Sequence, residues 1–278
     1  MKQEVEFIKL SPTQNMTILV KSHHFNGDYQ QIALKMMAYD HVYAEQVGFI
    51  KEPKDGNADG HLQMAGNEFC GNACMSLAAF IAHQRGIEEN GISHLSIEAS
   101  GAEELIACQV RKVEDDYKCR IAMPLPKRIE PRVIEYENTY VHAYSVEYED
   151  FLHIVLEVDE VDEEVKTAAE VLARSLEESF PETTLIGVLL YEKVRSYLAP
   201  LIYIPKLNSM VWERGCGSGT ASIGAYLAFL SKQKISVEIK QPGGGIRVFG
   251  KYENGFVRHV QIEGTVRIVA QGKAFVTV

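Results

Sequence analysis

The stretch Gly66-Asn67-Glu68-Phe69-Cys70-Gly71-Asn72-Ala73-Cys74-Met75-Ser76-Leu77-Ala78-Ala79-Phe80 has a counterpart in Trp212-Glu213-Arg214-Gly215-Cys216-Gly217-Ser218-Gly219-Thr220-Ala221-Ser222-Ile223-Gly224-Ala225-Tyr226, at an offset of 216 − 70 = 146 positions. Counting from each cysteine, the next residue is Gly in both, the sixth is Ser, the ninth is Ala and the tenth is aromatic. An offset of about half the chain points to an internal duplication, which would govern the whole architecture. Behind each cysteine runs an apolar segment, residues 73–82 and 221–230, interrupted by a serine and too short to cross a bilayer. Both read as helices, and a helix apolar on nearly every face must be enclosed on all sides. Cys70 and Cys216 are therefore expected at helix N-termini, at the same end of equivalent cores.

The flanks repeat one order of elements. In the first half an amphipathic helix around 29–38 precedes a β-like run at 47–50, the cysteine segment, and a strand at 95–99 closed by Ser100-Gly101. In the second, a charged helix around 161–178 precedes strands at 185–190 and 201–204, the cysteine segment, and a strand at 236–240 closed by Pro242-Gly243-Gly244. The hydrophobic period switches from helical to extended in the same sequence both times. The expected fold class is α/β (α+β), with two pseudo-symmetric domains, each a curved, mostly antiparallel sheet wrapped around a central helix. Residues 1–126 form the half with Cys70 and residues 127–264 the half with Cys216. Pro124, Pro126 and Pro131 mark the linker around 123–131. The last strand, within 265–278, can join either half and is expected to complete the first.

Composition narrows the partners. The chain has 278 residues, 28 Lys+Arg against 38 Asp+Glu, and a formal charge of −10, which opposes the phosphate neutralisation that nucleic-acid binding requires. A small molecule is the expected partner, with no nucleic acid and no membrane. The opening Met1-Lys2-Gln3-Glu4-Val5-Glu6 has no basic segment followed by an apolar core, so the cytoplasm is the expected location. Cysteines at 70, 74, 108, 119 and 216 do not make a disulfide scaffold in a chain of this size, and reduced thiols are expected.

A helix N-terminus carries unpaired backbone N–H groups and roughly half a positive charge, so it binds anions and lowers a cysteine pKa from about 8.5 toward neutrality. Two such ends facing one another would offer two sulfurs and two anion cradles, built from the amides of Gly71 and Asn72 and of Gly217 and Ser218. An amino-acid carboxylate would fit between them, with a sulfur on each face of its α-carbon. Inverting a stereocentre needs that layout, with one thiolate taking the α-proton and one thiol returning a proton to the other face. Neighbouring thiolates repel, so the pair should hold about one proton over a useful pH range. Helix-end donors would stabilise the enediolate-like charge, and neither a metal nor a pyridoxal cofactor is called for.

Cys70-Gly71-Asn72 and Cys216-Gly217-Ser218-Gly219 resemble the two catalytic signatures of the diaminopimelate epimerase family, cofactor-independent amino-acid racemases and epimerases. The resemblance spans the chain and implies a diaminopimelate epimerase-like fold. It also implies substrate contacts from Asn15, in Gln14-Asn15-Met16-Thr17, and from Gln46, in Glu45-Gln46-Val47. There are departures. Glu213-Arg214 lie immediately before Gly215-Cys216 and so do not match the family's Glu-Arg pair, Phe151-Leu152-His153 replaces its Asn-Pro-His, and its later substrate asparagine falls at Gly187. Five blocks in order are more similar to the histidine racemases of staphylopine-type opine metallophore biosynthesis: residues 15–20, 45–50, 66–73, 200–205 and 216–224. That resemblance implies conversion of L-histidine to D-histidine and a functional link to an opine metallophore synthase; a homodimer is left open. The residues alone support only α-carbon inversion. The rival readings are diaminopimelate epimerase or another epimerase of the family, a single-cysteine hydrolase or amidotransferase, and a non-catalytic anion-binding protein.

Other features carry less. Gly243-Gly244-Gly245 lacks the Lys-Ser/Thr of a P-loop and reads as a tight turn. Cys70 and Cys74 lack a second Cys/His pair for zinc, and Cys74, Cys108 and Cys119 read as small buried hydrophobes. His61 and His153 are candidates for the cleft, set against ordinary core or surface histidines. Glu45 and Glu68 stand beside motif residues and could hold an ammonium or an imidazole, or serve as plain strand and loop carboxylates. Trp212 is expected in the core near Cys216.

Overall fold

The computed structural model describes residues 2–54, 56–136, 139–181 and 183–278. The chain divides into two compact units, Met1–Ala122 with Glu263–Val278, and Met123–Ile262.

The first unit runs β1 (Lys2–Pro12), β2 (Thr17–Val20), α1 (Tyr29–Met37), β3 (Gln46–Lys51), β4 (Gly60–Met64), α2 (Gly71–Gln84), β5 (Ile92–Ala99), β6 (Ile106–Val113) and β7 (Asp116–Ala122). β2 pairs with β3 and β4 with β5 in parallel, while β1–β2, β3–β4, β5–β6 and β6–β7 are antiparallel. A parallel pair needs a crossover, and α1 and α2 are those crossovers. The chain's final strand returns here, pairing with β1 from Lys2↔Thr277 to Pro12↔Val266. It also neighbours β7, where Arg120 binds Glu263 and Arg267 binds Asp116, so the strands close into a circuit. α2 is buried from Gly71 through Ala82 and packs on all of β1–β7, which is why its sequence has no polar face. α1 instead buries one stripe, Tyr29, Ile32, Ala33 and Met36, against β3, with Tyr29 stacked on Phe49.

The second unit runs β8 (Arg128–Tyr136), β9 (Thr139–Glu147), β10 (Phe151–Glu157), α3 (Glu163–Ser179), β11 (Leu185–Glu192), β12 (Tyr197–Ile204), β13 (Ser209–Trp212), α4 (Gly217–Ser231), β14 (Lys234–Gln241), β15 (Gly244–Glu253) and the first residues of β16 (Phe256–Thr277). Its parallel pairs are β10–β11, bridged by α3, and β12–β14, which α4 connects. Asp162 starts α3, its side chain accepting the Val165 N–H at 2.8 Å. Ala169, Leu172, Ala173 and Leu176 then pack into a core with Ile186, Val188, Leu190 and Leu201. α4 lies so close to β15 that a Cβ on Gly224 would sit 2.2 Å from Val248 Cγ2, so a side chain there would force the two apart.

Two expectations are corrected. Pro131 belongs to β8, opposite Tyr144, rather than to the linker; β8 ends the path of paired strands, and an edge strand is where a sheet tolerates proline. Trp212 is half-buried on β13 at the margin of the core under α3, its Nε1 donating to Glu170 at 2.8 Å. The Pro242-Gly243 turn between β14 and β15 matches its sequence reading. Among the described residues no helix is long and apolar enough to cross a membrane.

Candidate active site

Strand registers gather the first unit's candidates at one end of its sheet. β1 ends at Pro12, Thr17 of β2 pairs with Gln46 of β3, Gly48 pairs with Met64 at the end of β4, and Leu62 pairs with Ala99 at the end of β5. Asn15, Glu45, Gln46 and the loop carrying Cys70 therefore leave from the same edge. Asn15 is fully buried, and its Nδ2 donates to Glu45 Oε2 at 3.1 Å. Its backbone is set by Thr13 and Gln14, both at positive φ, and by an N–H bond to Pro12 O.

Cys70 is the N-cap of α2, extended at φ −130°, ψ 107°, and its Sγ accepts the Ala73 N–H at 3.5 Å. Gly71 and Asn72 form the buried first turn. The loop in front of Cys70 is held from the turn that follows β5: Ser100 Oγ donates to Glu68 O and accepts the Met64 N–H, both at 2.9 Å. Gly101, at φ +68°, lies so close that a Cβ would sit 2.3 Å from Phe69 N. Glu68 is exposed, with its carboxyl bent back over Gly66; the partial loss of solvent there raises its pKa.

Cys216 is the N-cap of α4 and is 2% exposed. Its Sγ accepts the Gly219 N–H at 3.2 Å and lies 3.5 Å from Ser218 Oγ. Gly217 and Ser218 supply the first turn, as Gly71 and Asn72 do in α2. The helix end was expected to lower this thiol. Instead burial pushes it well above the usual thiol range, with the charge of Glu213 and its hydrogen bond adding to the rise, against opposing pulls from Ser218 and the Gly219 N–H.

Sequence reasoning placed Glu213 next to Cys216 but missed that its carboxylate acts on the thiol, and it missed Gln241. Gln241 Oε1 accepts the Cys216 N–H at 2.7 Å, and its Nε2 donates to Thr220 Oγ1 at 2.8 Å. No periodicity signals a contact 25 residues apart; the only hint is that both precede the glycine-rich turns of their segments.

His61 faces Glu98 at 3.0 Å and lines a cavity of about 610 Å³ with Lys54, Gln63 and Ser100. His153 is fully buried, its Nδ1 2.7 Å from Ser222 Oγ, and burial lowers its pKa to about 3. Cys74, Cys108 and Cys119 are buried with thiol pKa values pushed up by desolvation, that of Cys108 to about 12. Among the described residues no three His, Cys, Asp or Glu side chains assemble into a metal-binding group.

Residues 4–275 match the family model described as the histidine racemase CntK N-terminal domain. The chain is 37% identical to a histidine racemase of Staphylococcus aureus (strain Mu50) over 278 residues, covering 99% of each chain. It is 29% identical to a histidine racemase of Fusobacterium nucleatum subsp. nucleatum, covering 99% of this chain and 98% of that one. Among solved structures it resembles a probable proline racemase from Agrobacterium radiobacter, with a TM-score of 0.68 at 9% identity over 99% of this chain and 92% of the other. The fold is accordingly a mixed α/β, proline racemase-like one, which replaces the diaminopimelate epimerase-like label expected from the sequence.

Proposed function

The chain belongs to the histidine racemase CntK family, and from that premise we propose that it interconverts L- and D-histidine by a two-base, cofactor-independent mechanism with Cys70 and Cys216 as the acid–base pair. As a member of that family it is an isomerase, an amino-acid racemase. The observation that carries the mechanism is local and occurs twice: a cysteine caps a buried helix, and its sulfur accepts a first-turn backbone N–H.

In the L-to-D direction one thiolate removes the α-proton, the electron pair delocalises into the carboxylate, and the other thiol delivers a proton to the opposite face. The first sulfur leaves as thiol and the second as thiolate, so the pair is inverted and must reset. The amides of Gly71, Asn72, Gly217 and Ser218 hold the carboxylate and its developing charge. Asn15, Gln46, Glu45 and Glu68 supply polar contacts to the ammonium and the imidazole. The two halves, 1–126 with 265–278 and 127–264, are read as pseudo-symmetric carriers of one cysteine each. The product is read as the substrate of an opine metallophore synthase in the cytoplasm.

The reading is tested by incubating L-histidine with the purified protein and a chelator, without pyridoxal phosphate, and separating enantiomers by chiral chromatography. D-Histidine accumulating toward an equal mixture supports it, and L-histidine that stays unchanged overturns it.

A further inference from the structure

Both peptide groups of Cys216 are held by one closed ring of hydrogen bonds. The Cys216 N–H donates to Gln241 Oε1 at 2.7 Å, Gln241 Nε2 donates to Thr220 Oγ1 at 2.8 Å, and Thr220 Oγ1 donates to the Cys216 carbonyl at 2.6 Å. The ring fixes the orientation of the Gln241 amide. The peptide N–H is only a donor, so oxygen must face it, and the Thr220 hydroxyl spends its proton on Cys216 O, so it must accept from nitrogen. Gln241 is 5% exposed and Thr220 fully buried, so water does not compete for these bonds. The turn beyond Gln241 is tied to the same loop, Gly243 N–H donating to Arg214 O at 2.6 Å and the Arg214 guanidinium to Pro242 O at 3.3 Å.

A capping residue's own N–H makes no bond within its helix. Left unbound in a buried position, it would favour any rotation of the peptide that found an acceptor, and the sulfur would rotate with it. With φ and ψ held at −104° and 109°, Sγ stays on the Gly219 N–H. Proton transfer to a carbon acid is sensitive to displacements on the order of 1 Å.

We propose that Gln241, anchored by Thr220, is a positioning residue that locks the backbone of Cys216 and thereby the direction of its sulfur. This rests on the reading of Cys216 as an acid–base group. Burial and Glu213 make that thiol a reluctant acid, so its position relative to its donors matters more than for an exposed cysteine.

The test is Gln241→Leu, similar in size and unable to bond, with Gln241→Glu as the conservative variant, which in its protonated form keeps an oxygen facing the Cys216 N–H and an O–H for Thr220 Oγ1. One readout is independent of turnover: the rate of iodoacetamide labelling of Cys216 relative to Cys70 in the same sample, by peptide mass spectrometry. Gln241→Leu is expected to raise that ratio about tenfold through local opening and to lower kcat on histidine about a hundredfold, with KM within about threefold. Gln241→Glu should bring the labelling ratio back toward that of wild type measured at the same pH as the pH is lowered and the carboxyl gains the proton that Thr220 Oγ1 accepts. A folded Gln241→Leu protein with an unchanged ratio overturns the proposal, whatever its kcat. If Gln241→Leu does not fold, Thr220→Val removes the anchor of Gln241 together with the hydroxyl's bond to the Cys216 carbonyl and is held to the same ratio. A wild-type protein that does not racemise histidine refutes the functional reading, while the ratio still decides on the ring.

Discussion

Asn15 Nδ2 donates to Glu45 Oε2 at 3.1 Å, which leaves Asn15 Oδ1 as a buried acceptor without a protein partner. The bond crosses between the entry points of two parallel strands, β2 and β3, so Glu45 orients Asn15. Glu45→Gln keeps an oxygen for Nδ2 and should raise KM for histidine less than Glu45→Ala does. Glu45→Ala frees the amide and should raise KM about tenfold, the effect of losing one hydrogen bond of about 1.4 kcal/mol. Steady-state racemisation kinetics of both variants check this; a wild-type KM in Glu45→Ala contradicts it.

Gly101 presses on the loop that carries Cys70. An added Cβ would lie 2.3 Å from Phe69 N and 2.8 Å from Glu68 C, at a positive φ. Gly101→Ala should cost about 1–3 kcal/mol of stability and lower kcat about a hundredfold by displacing Cys70. Gly86 is the control, because its φ is +66° with nothing within 4 Å. Gly86→Ala should lose about 1 kcal/mol with kcat unchanged. Urea unfolding and turnover measured on both variants separate backbone strain from displacement of the site. Equal kcat values in the two would refute the assignment.

His153 predicts an acid sensitivity. Burial lowers its pKa from the ordinary value to about 3, while in the unfolded chain it is about 6.5. Between those values the unfolded chain binds the extra proton, so the stability this group confers is present above about pH 6.5 and is lost as pH falls toward 3. Unfolding free energies at pH 7 and pH 5 should therefore drop more in the wild type than in His153→Phe. Identical drops would show that His153 does not titrate on unfolding.

The parts of this fold legible in the sequence were those set by local pattern. The apolar runs behind Cys70 and Cys216 gave two enclosed helices, and a cysteine followed by Gly and small polar residues marked their N-caps. The stripe at Tyr29, Ile32, Ala33 and Met36 gave α1. Pro131 was misread because a proline in an edge strand looks, in sequence, like a proline in a linker. The roles of Glu213 and Gln241 were missed for a different reason. The role of Gln241 depends on β14 and the loop before α4 being brought together in three dimensions, and nothing in residue order encodes the distance from Gln241 Oε1 to the Cys216 N–H; Glu213 is close in sequence, but the direction of its carboxylate toward the thiol is not written there. The same limit applies to Cys216 itself: its helix end was visible, but the burial and the carboxylate that outweigh it were not.

The central claim is that two different thiols serve the two faces of one α-carbon, and early-phase isotope exchange in D₂O tests it most directly. A thiol carries a single proton, so the α-hydrogen taken by one cysteine stays with it while deuterium arrives from the other. Starting from L-histidine, the account predicts D-histidine that is deuterated from the first turnovers and unreacted L-histidine that remains protiated. Deuterium entering recovered L-histidine as fast as inversion occurs would mean one base acts on both faces, and would contradict the account.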